Sequence, residues 1–229
     1  MDNTRKCLLR IDILKDINET TLNLLEPSAS IRNYKKNEHI FFDREEVENF
    51  YFIVSGKAGL YKLNNKHEKK VIFVYGNGSF LNEVMLQDIY ASINCEILTD
   101  SKILCISKVA FMNAMEMDFK LSKEVMDSMA LKIRRLYHQI KNTSSTVRLD
   151  KQIAAKLWKL SIDHGKVCED GIMIDFDLTI TYLADLVGSK RETVSRYLKI
   201  LSDNSLIIIR KNRFIIKDRE LLLKYFNES

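Results

Sequence analysis

Leu178-Thr179-Ile180-Thr181-Tyr182-Leu183-Ala184-Asp185-Leu186-Val187-Gly188-Ser189-Lys190-Arg191-Glu192-Thr193-Val194-Ser195-Arg196-Tyr197-Leu198-Lys199-Ile200-Leu201 is the stretch whose reading decides the fold. Thr179 suits the N-cap of a helix over 180–187, with Leu183, Ala184 and Val187 on its inner face. Gly188 supplies a tight turn. Ser189 and Glu192 have capping-box spacing for a second helix over 190–201. Val194, Leu198 and Leu201 give that helix its apolar side. Two short helices joined at a glycine form a helix-turn-helix, whose second helix enters the DNA major groove by its N-terminal residues. The polar residues at that end are Lys190, Arg191, Glu192, Ser195, Arg196 and Lys199. Arginine donates two parallel bonds to guanine, glutamate accepts from cytosine N4, and serine meets a base edge or a phosphate.

Downstream, Leu206 to Ile216 reads as a β-hairpin with a basic tip, Arg210-Lys211-Asn212-Arg213. Such a wing places Lys211 and Arg213 near phosphates, adding affinity without sequence information. Nine basic and three acidic residues lie between 190 and 219, a surplus of six in a chain whose total is +5. The chain's charge is therefore concentrated where phosphates would lie.

Upstream, Ile153, Ala154, Leu157 and Leu160 mark an amphipathic helix that Gly165 ends, and Ile172 to Asp177 alternates like a strand. The run from Lys102 to Asp163 has neither glycine nor proline. Within it, Met126, Met129, Ile133, Leu136, Ile140, Thr143 and Val147 repeat at steps of three and four. This predicts one long helix with a narrow seam for self-association through Met126, Met129, Ile133, Leu136 and Ile140. Lys132, Arg134, Arg135, Lys141 and Asn142 form its polar face, and Thr143 to Thr146 reads as a hinge. Before it, residues 50–54, 60–63, 70–75, 93–98 and 102–106 read as short strands of a small roll, with turns at Gly56 and Gly76–Gly78. The expected division is a β-roll over 1–110, connecting and dimerisation helices over 111–147, and a winged helix-turn-helix over 148–229. The fold class is α+β.

At 229 residues the chain has room for two domains. Charged residues at 29% beside 46% hydrophobic ones match an ordinary folded protein. A single proline and seven glycines exclude linker-rich designs. The start lacks a signal-peptide core, and apolar runs such as 206–209 fall far short of a membrane span. Cys7, Cys95, Cys105 and Cys168 are scattered without a C-x-x-C pair, which argues against a disulfide framework and for a cytoplasmic setting.

With these residues assembled, the chain resembles the Crp/Fnr family of transcription regulators, that of the catabolite activator protein and the fumarate–nitrate regulator. Val187 to Lys199 carries the resemblance most specifically. Tyr51-Phe52-Ile53-Val54-Ser55-Gly56 and Gly78-Ser79-Phe80-Leu81-Asn82-Glu83 add to it, and the likeness spans roughly residues 15 to 220. It implies a cyclic-nucleotide-binding-like β-roll, a homodimer joined along the long helix, and an inverted repeat of double-stranded DNA as target. Base reading would fall to Glu192 and Arg196. Ser195 resembles the fumarate–nitrate branch and Arg191 the catabolite activator branch, so the half-site is expected near TGTGA or TTGA. RNA polymerase is an implied partner.

The resemblance also frames the effector. Glu83 matches the family's glutamate in the nucleotide pocket, and Ser92, Leu136, Gln139 and Ile140 are the other candidate pocket residues. The phosphate-clamping arginine is missing, since Ala91-Ser92-Ile93 stands there and 78–101 contains neither lysine nor arginine. A buried phosphate without a cation is poorly compensated, so no cyclic AMP response is expected. One cysteine near the start cannot hold a four-cysteine iron–sulfur cluster. No cofactor is expected. Heme stays open, with His138 as its candidate ligand, as do a small apolar effector, thiol redox sensing and no effector at all. A metal-dependent enzyme on the roll wants clustered histidines, and His39, His67, His138 and His164 are dispersed. A ligand-binding roll that regulates a protein partner explains the N-terminal half but leaves Arg191, Glu192 and Arg196 without a task.

Overall fold

A computed structural model describes residues 4–87, 90–142 and 147–227. It divides into two compact units, 1–62 with 73–135, and 63–72 with 136–229. The elements run α1 (Thr4–Leu8), α2 (Glu19–Leu25), β1 (Ala29–Tyr34), β2 (His39–Phe41), β3 (Asn49–Leu63), β4 (Lys69–Tyr75), β5 (Asn94–Ser107), α3 (Lys108–Met117), α4 (Phe119–Asn142), α5 (Leu149–His164), β6 (Gly165–Cys168), β7 (Gly171–Ile174), α6 (Ile180–Val187), α7 (Arg191–Asp203), β8 (Ile207–Arg210), β9 (Arg213–Ile216) and α8 (Arg219–Asn227).

The first unit is built on a sheet of order β1-β5-β3-β4, with β2 also paired to β5. Two expected strand pairs are single long strands. Residues 49–63 run through Gly56 without a turn, because Gly56 sits at φ +109 where the β3–β5 register shifts. The glycine marks a bulge, which bends a strand without ending it. Ser101 lies so close that a Cβ at position 56 would overlap its side chain. Likewise β5 runs unbroken through Thr99-Asp100-Ser101. Strands β1 and β2 were absent from the expected set.

Phe50, Phe52, Phe80 and Phe111 form the centre of the core, all buried, with ring centroids 4.5–5.8 Å apart. They join β3, the segment after β4, and α3. Such ring pairs add about 0.5–1.5 kcal/mol each beyond the area they bury.

The expected long helix is α4, which carries Met126 to Ile140 without a break and is preceded by the separate helix α3. Asp118 leaves the helical region (φ −126, ψ 98) between α3 and α4. Its Oδ1 accepts from the amides of Lys120 at 2.9 Å and Leu121 at 3.4 Å. Its Oδ2 accepts from Thr21 Oγ1 at 2.6 Å and Asn18 Nδ2 at 3.1 Å. The buried carboxylate thus satisfies orphan amides at the start of α4 and ties that start to α2. The hinge expected at Thr143–Thr146 lies outside the described residues.

In the second unit the sheet order is β6-β7-β9-β8. Ile153, Ala154, Leu157 and Leu160 of α5 are buried, as are Leu183, Val194, Leu198, Leu201 and Leu222. Tyr225 of α8 donates to the buried Asp150 carboxylate at 2.7 Å. Strand β6 adds a partner for β7 that alternation alone did not reveal, since Gly165 both ends α5 and begins the strand.

Candidate nucleic-acid interface

Helix α6 starts on Thr179, whose Oγ1 accepts from the Tyr182 amide at 3.0 Å. It ends on Gly188, left-handed at φ 74 and ψ 45, whose amide returns to the Ala184 carbonyl at 2.8 Å. This is the αL cap that glycine adopts without steric cost. Gly188→Ala is expected to cost about 1–2 kcal/mol. Thermal unfolding should show it as a lower midpoint, and an unchanged midpoint would contradict the cap.

The expected capping box does not form. Lys190, extended at φ −76 and ψ 143, is the N-cap of α7, and no side chain bonds the helix start. The helix begins one residue later than the spacing suggested. Ser189 therefore falls before the cap, and Glu192 sits in the first turn at the second helical position. Glu192 is exposed and has no hydrogen-bond or ion-pair partner among the described residues. Its place near the helix N-terminus suits a negative charge.

Val194, Leu198 and Leu201 turn inward. Lys190, Arg191, Glu192, Arg196 and Lys199 are exposed, and Ser195 is half-buried. The Arg196 guanidinium lies 5.6 Å from the Tyr197 ring centroid. Five of the six residues read from the sequence thus lie on α7 and Lys190 stands at its N-cap, and the five exposed ones, four cations and one anion, leave this surface basic.

The wing is present, with Ile207 opposite Ile216 and Arg210 opposite Arg213. The turn falls at Lys211, which takes φ 55. Leu178, just before the α6 cap, donates its amide to the Asn212 carbonyl at 2.9 Å. The hairpin tip and the helix-turn-helix are thereby held together. The tip cations differ in availability. Arg210 pairs with Asp170 at 2.6 Å, and Arg213 lies 3.4 Å from Asp177 and 3.9 Å from Asp175. Arg219 donates to Ser161 Oγ at 3.1 Å. Lys211 has no carboxylate partner among the described residues. Part of the basic surplus counted along the sequence therefore serves the domain's own structure. The cations without a carboxylate partner among the described residues are Lys190, Arg191, Arg196 and Lys199 at and along α7, with Lys211 and Lys217.

On α4, Phe119, Met126, Ile133 and Ile140 are 75%, 51%, 46% and 69% exposed, and Leu136 and Tyr137 lie beside them. Met129 belongs to another face. It is half-buried against the core of the first unit, which removes it from the expected seam. Phe119, seven residues before Met126, continues the exposed row, and the break at Asp118 hides in the sequence where that row begins.

The candidate effector residues divide between the units. Glu83 is buried and pairs with Lys132, a residue expected on the polar face of α4. Ser92 is exposed. In the second unit the Gln139 amide donates to the Ile72 carbonyl at 2.8 Å, while Leu136 and Ile140 are exposed. Cys7, Cys95 and Cys105 are buried and Cys168 is half-buried. Burial pushes the Cys105 thiol up to about 11 and raises Cys95 as well. A thiol held protonated is a poor target for oxidants. His39 stacks on Phe42 with centroids 4.7 Å apart and lies 3.0 Å from the Tyr61 hydroxyl. Among the described residues no group of three His, Cys, Asp or Glu side chains is placed to hold a metal ion, and no helix is long and apolar enough to cross a membrane.

Residues 31–118 match the cyclic nucleotide-binding domain family, and residues 151–225 match the Crp-like helix-turn-helix domain. The chain is 24% identical over 209 residues to the anaerobic regulatory protein of Bacillus subtilis, covering 90% of this chain and 87% of that one. It is equally 24% identical over 209 residues to the global nitrogen regulator of Nostoc, covering 86% and 89%. Among solved structures, FixK2 from Bradyrhizobium japonicum superposes with a TM-score of 0.76 at 17% identity, over 86% of this chain and 96% of that one.

Proposed function

We propose, for a chain that belongs to the Crp/Fnr family of transcription regulators, a homodimer that reads an inverted repeat through α7. Helix-turn-helix regulators of this family bind DNA. The finer reading rests on one observation above the others, the exposed and unpartnered Glu192 beside Arg191 and Arg196 on the first turns of α7. An anionic side chain on a surface meant for DNA is repelled by phosphates unless it meets a base donor, so its presence argues for sequence readout.

In this reading Arg191, Glu192, Ser195 and Arg196 contact base edges in a half-site near TGTGA or TTGA. Lys190, Lys199 and Lys211 meet phosphates. Arg213 supports the wing from within through Asp175 and Asp177, with its remaining donors toward the backbone. Two copies joined along Phe119, Met126, Ile133 and Ile140 would present two α7 helices to half-sites one DNA turn apart. Contact with RNA polymerase would make the bound dimer an activator. The effector is something other than cyclic AMP, or there is none. The protein acts by binding and performs no catalysis.

Selection of bound duplexes from a random pool tests this. An inverted repeat with half-sites about one helical turn apart should be enriched, with affinity falling steeply as salt rises. Recovery of no motif, or of a single unrepeated half-site, would contradict the proposal.

A further inference from the structure

Glu83 is 1% exposed, and the segment around it, 78–101, carries no lysine or arginine. Its countercharge comes from elsewhere. Lys132 of α4, in the same unit and with its side chain 15% exposed, pairs with Glu83 Oε1. The same ammonium donates to the Phe80 carbonyl at 2.8 Å and lies 4.5 Å from the Tyr75 ring centroid. Ser128, one turn earlier on α4, is 3.4 Å from the same carboxylate oxygen. An ammonium has three donors. Here a carboxylate, a carbonyl and an aromatic face use them. The Tyr75 hydroxyl is buried without a hydrogen-bond partner among the described residues, and that residue contributes its ring face.

This cluster differs from an ordinary surface ion pair in two respects. Both charges are withdrawn from water, where removal of either partner is costly. The cation also sits on the helix that carries the exposed apolar row, but on another side of it. Leu121, Val125, Met129 and Lys132 face the first unit, whereas Phe119, Met126, Ile133 and Ile140 face outward. Anchoring Lys132 therefore fixes the rotation of α4 about its own axis, and with it the direction in which the apolar row points.

We propose that Lys132 is the built-in occupant of the Glu83 site, a clasp that holds α4 in its DNA-competent rotation without any small-molecule effector. This rests on the DNA-binding reading above and deepens it by naming what regulates the sensor unit. A ligand hydroxyl or amine that sought Glu83 would first have to displace a charge that has all its partners.

The full-length protein decides the matter with two readouts, affinity for the selected inverted repeat and amide hydrogen exchange along 119–142. Lys132→Met keeps the unbranched side chain up to its fourth atom and removes the charge. It is expected to lower affinity at least tenfold and to speed exchange in α4, while circular dichroism stays that of the folded chain. Glu83→Gln should do the same. Ile97→Val, a conservative core change in the roll that leaves both charges in place, controls for lost stability and should leave affinity within twofold. Lys132→Ala should regain affinity with propylammonium chloride and fail to do so with sodium chloride at equal ionic strength. Wild-type affinity and wild-type exchange in Lys132→Met would overturn the clasp, as would a cyclic nucleotide that raises wild-type affinity. If the wild type selects no DNA at all, the function proposed above falls, and the clasp is then judged by exchange in α4 alone.

Discussion

Arg196→Ala is expected to weaken binding to the preferred inverted repeat by about 1–3 kcal/mol per half-site, which is about 5- to 150-fold for each copy of the residue. A dimer places the residue at both half-sites, so the loss should approach the square of that factor. The reason lies on α7. Arg196 is exposed on the same surface as Glu192, and Val194 and Leu198 are buried on the other side. Glu192→Ala should show the complementary effect. It removes an anion that phosphates repel, so binding to unrelated DNA should hold or strengthen, while preference for the cognate half-site collapses. Lys211→Ala provides the contrast. It should weaken binding to all sequences alike and make the dependence on salt shallower. Competition titrations with cognate and scrambled duplexes separate the three patterns. If Arg196→Ala and Glu192→Ala both bind the cognate repeat as tightly as wild type, the readout assigned to α7 is wrong.

Ile133→Glu is expected to dissociate the proposed dimer. Ile133 lies midway along the exposed row of α4, and burying one isoleucine side chain is worth about 1.5–3 kcal/mol. The substitution acts twice in a symmetric pair, removing two apolar contacts and placing two carboxylates face to face. The dimer dissociation constant should rise by about 100- to 10,000-fold. The isolated chain should keep its fold, since position 133 faces away from the core in the structure. DNA affinity should fall with it, because the second half-site is no longer held at high effective concentration. Sedimentation equilibrium reads the first effect and a binding titration the second. A dimer of unchanged strength would place the interface elsewhere.

The parts that the sequence revealed are those whose cause is local. Thr179, Gly188 and the apolar spacing of Leu183, Val194, Leu198 and Leu201 act within a few residues of themselves. The helix-turn-helix therefore follows from them almost without tertiary help. The capping box failed for an equally local reason. A cap depends on which residue leaves the helical region first, and Lys190 does so where Ser189 was expected to. Gly56 shows a different difficulty. A glycine in a β-branched run signals a turn or a bulge with the same letters, and only the pairing of β3 with β5 decides between them.

Lys132 could not be read at all. In the heptad pattern it is one cation among several on a polar face, and the partner that buries it, Glu83, is 49 positions away in sequence. Asp118 is similar, a lone acid whose capping role depends on Thr21 and Asn18 far upstream. Segment 78–101 carries no lysine or arginine, yet Glu83 has a cation beside it, because Lys132 arrives from another element.

The spacing of the outward row on α4 has a further consequence. Phe119, Met126, Ile133 and Ile140 are seven residues apart, and an undistorted α-helix falls about 20° short of two turns in seven residues. Over three such intervals the row drifts by about 60° around the helix. Two copies that stay in contact along it must wind about each other in a left-handed supercoil. The residue count of α4 thus sets an angular phase as well as a length. One residue added between Phe119 and Ile140 turns the rest of the row on α4 by about 100°, whereas seven added residues nearly restore its direction.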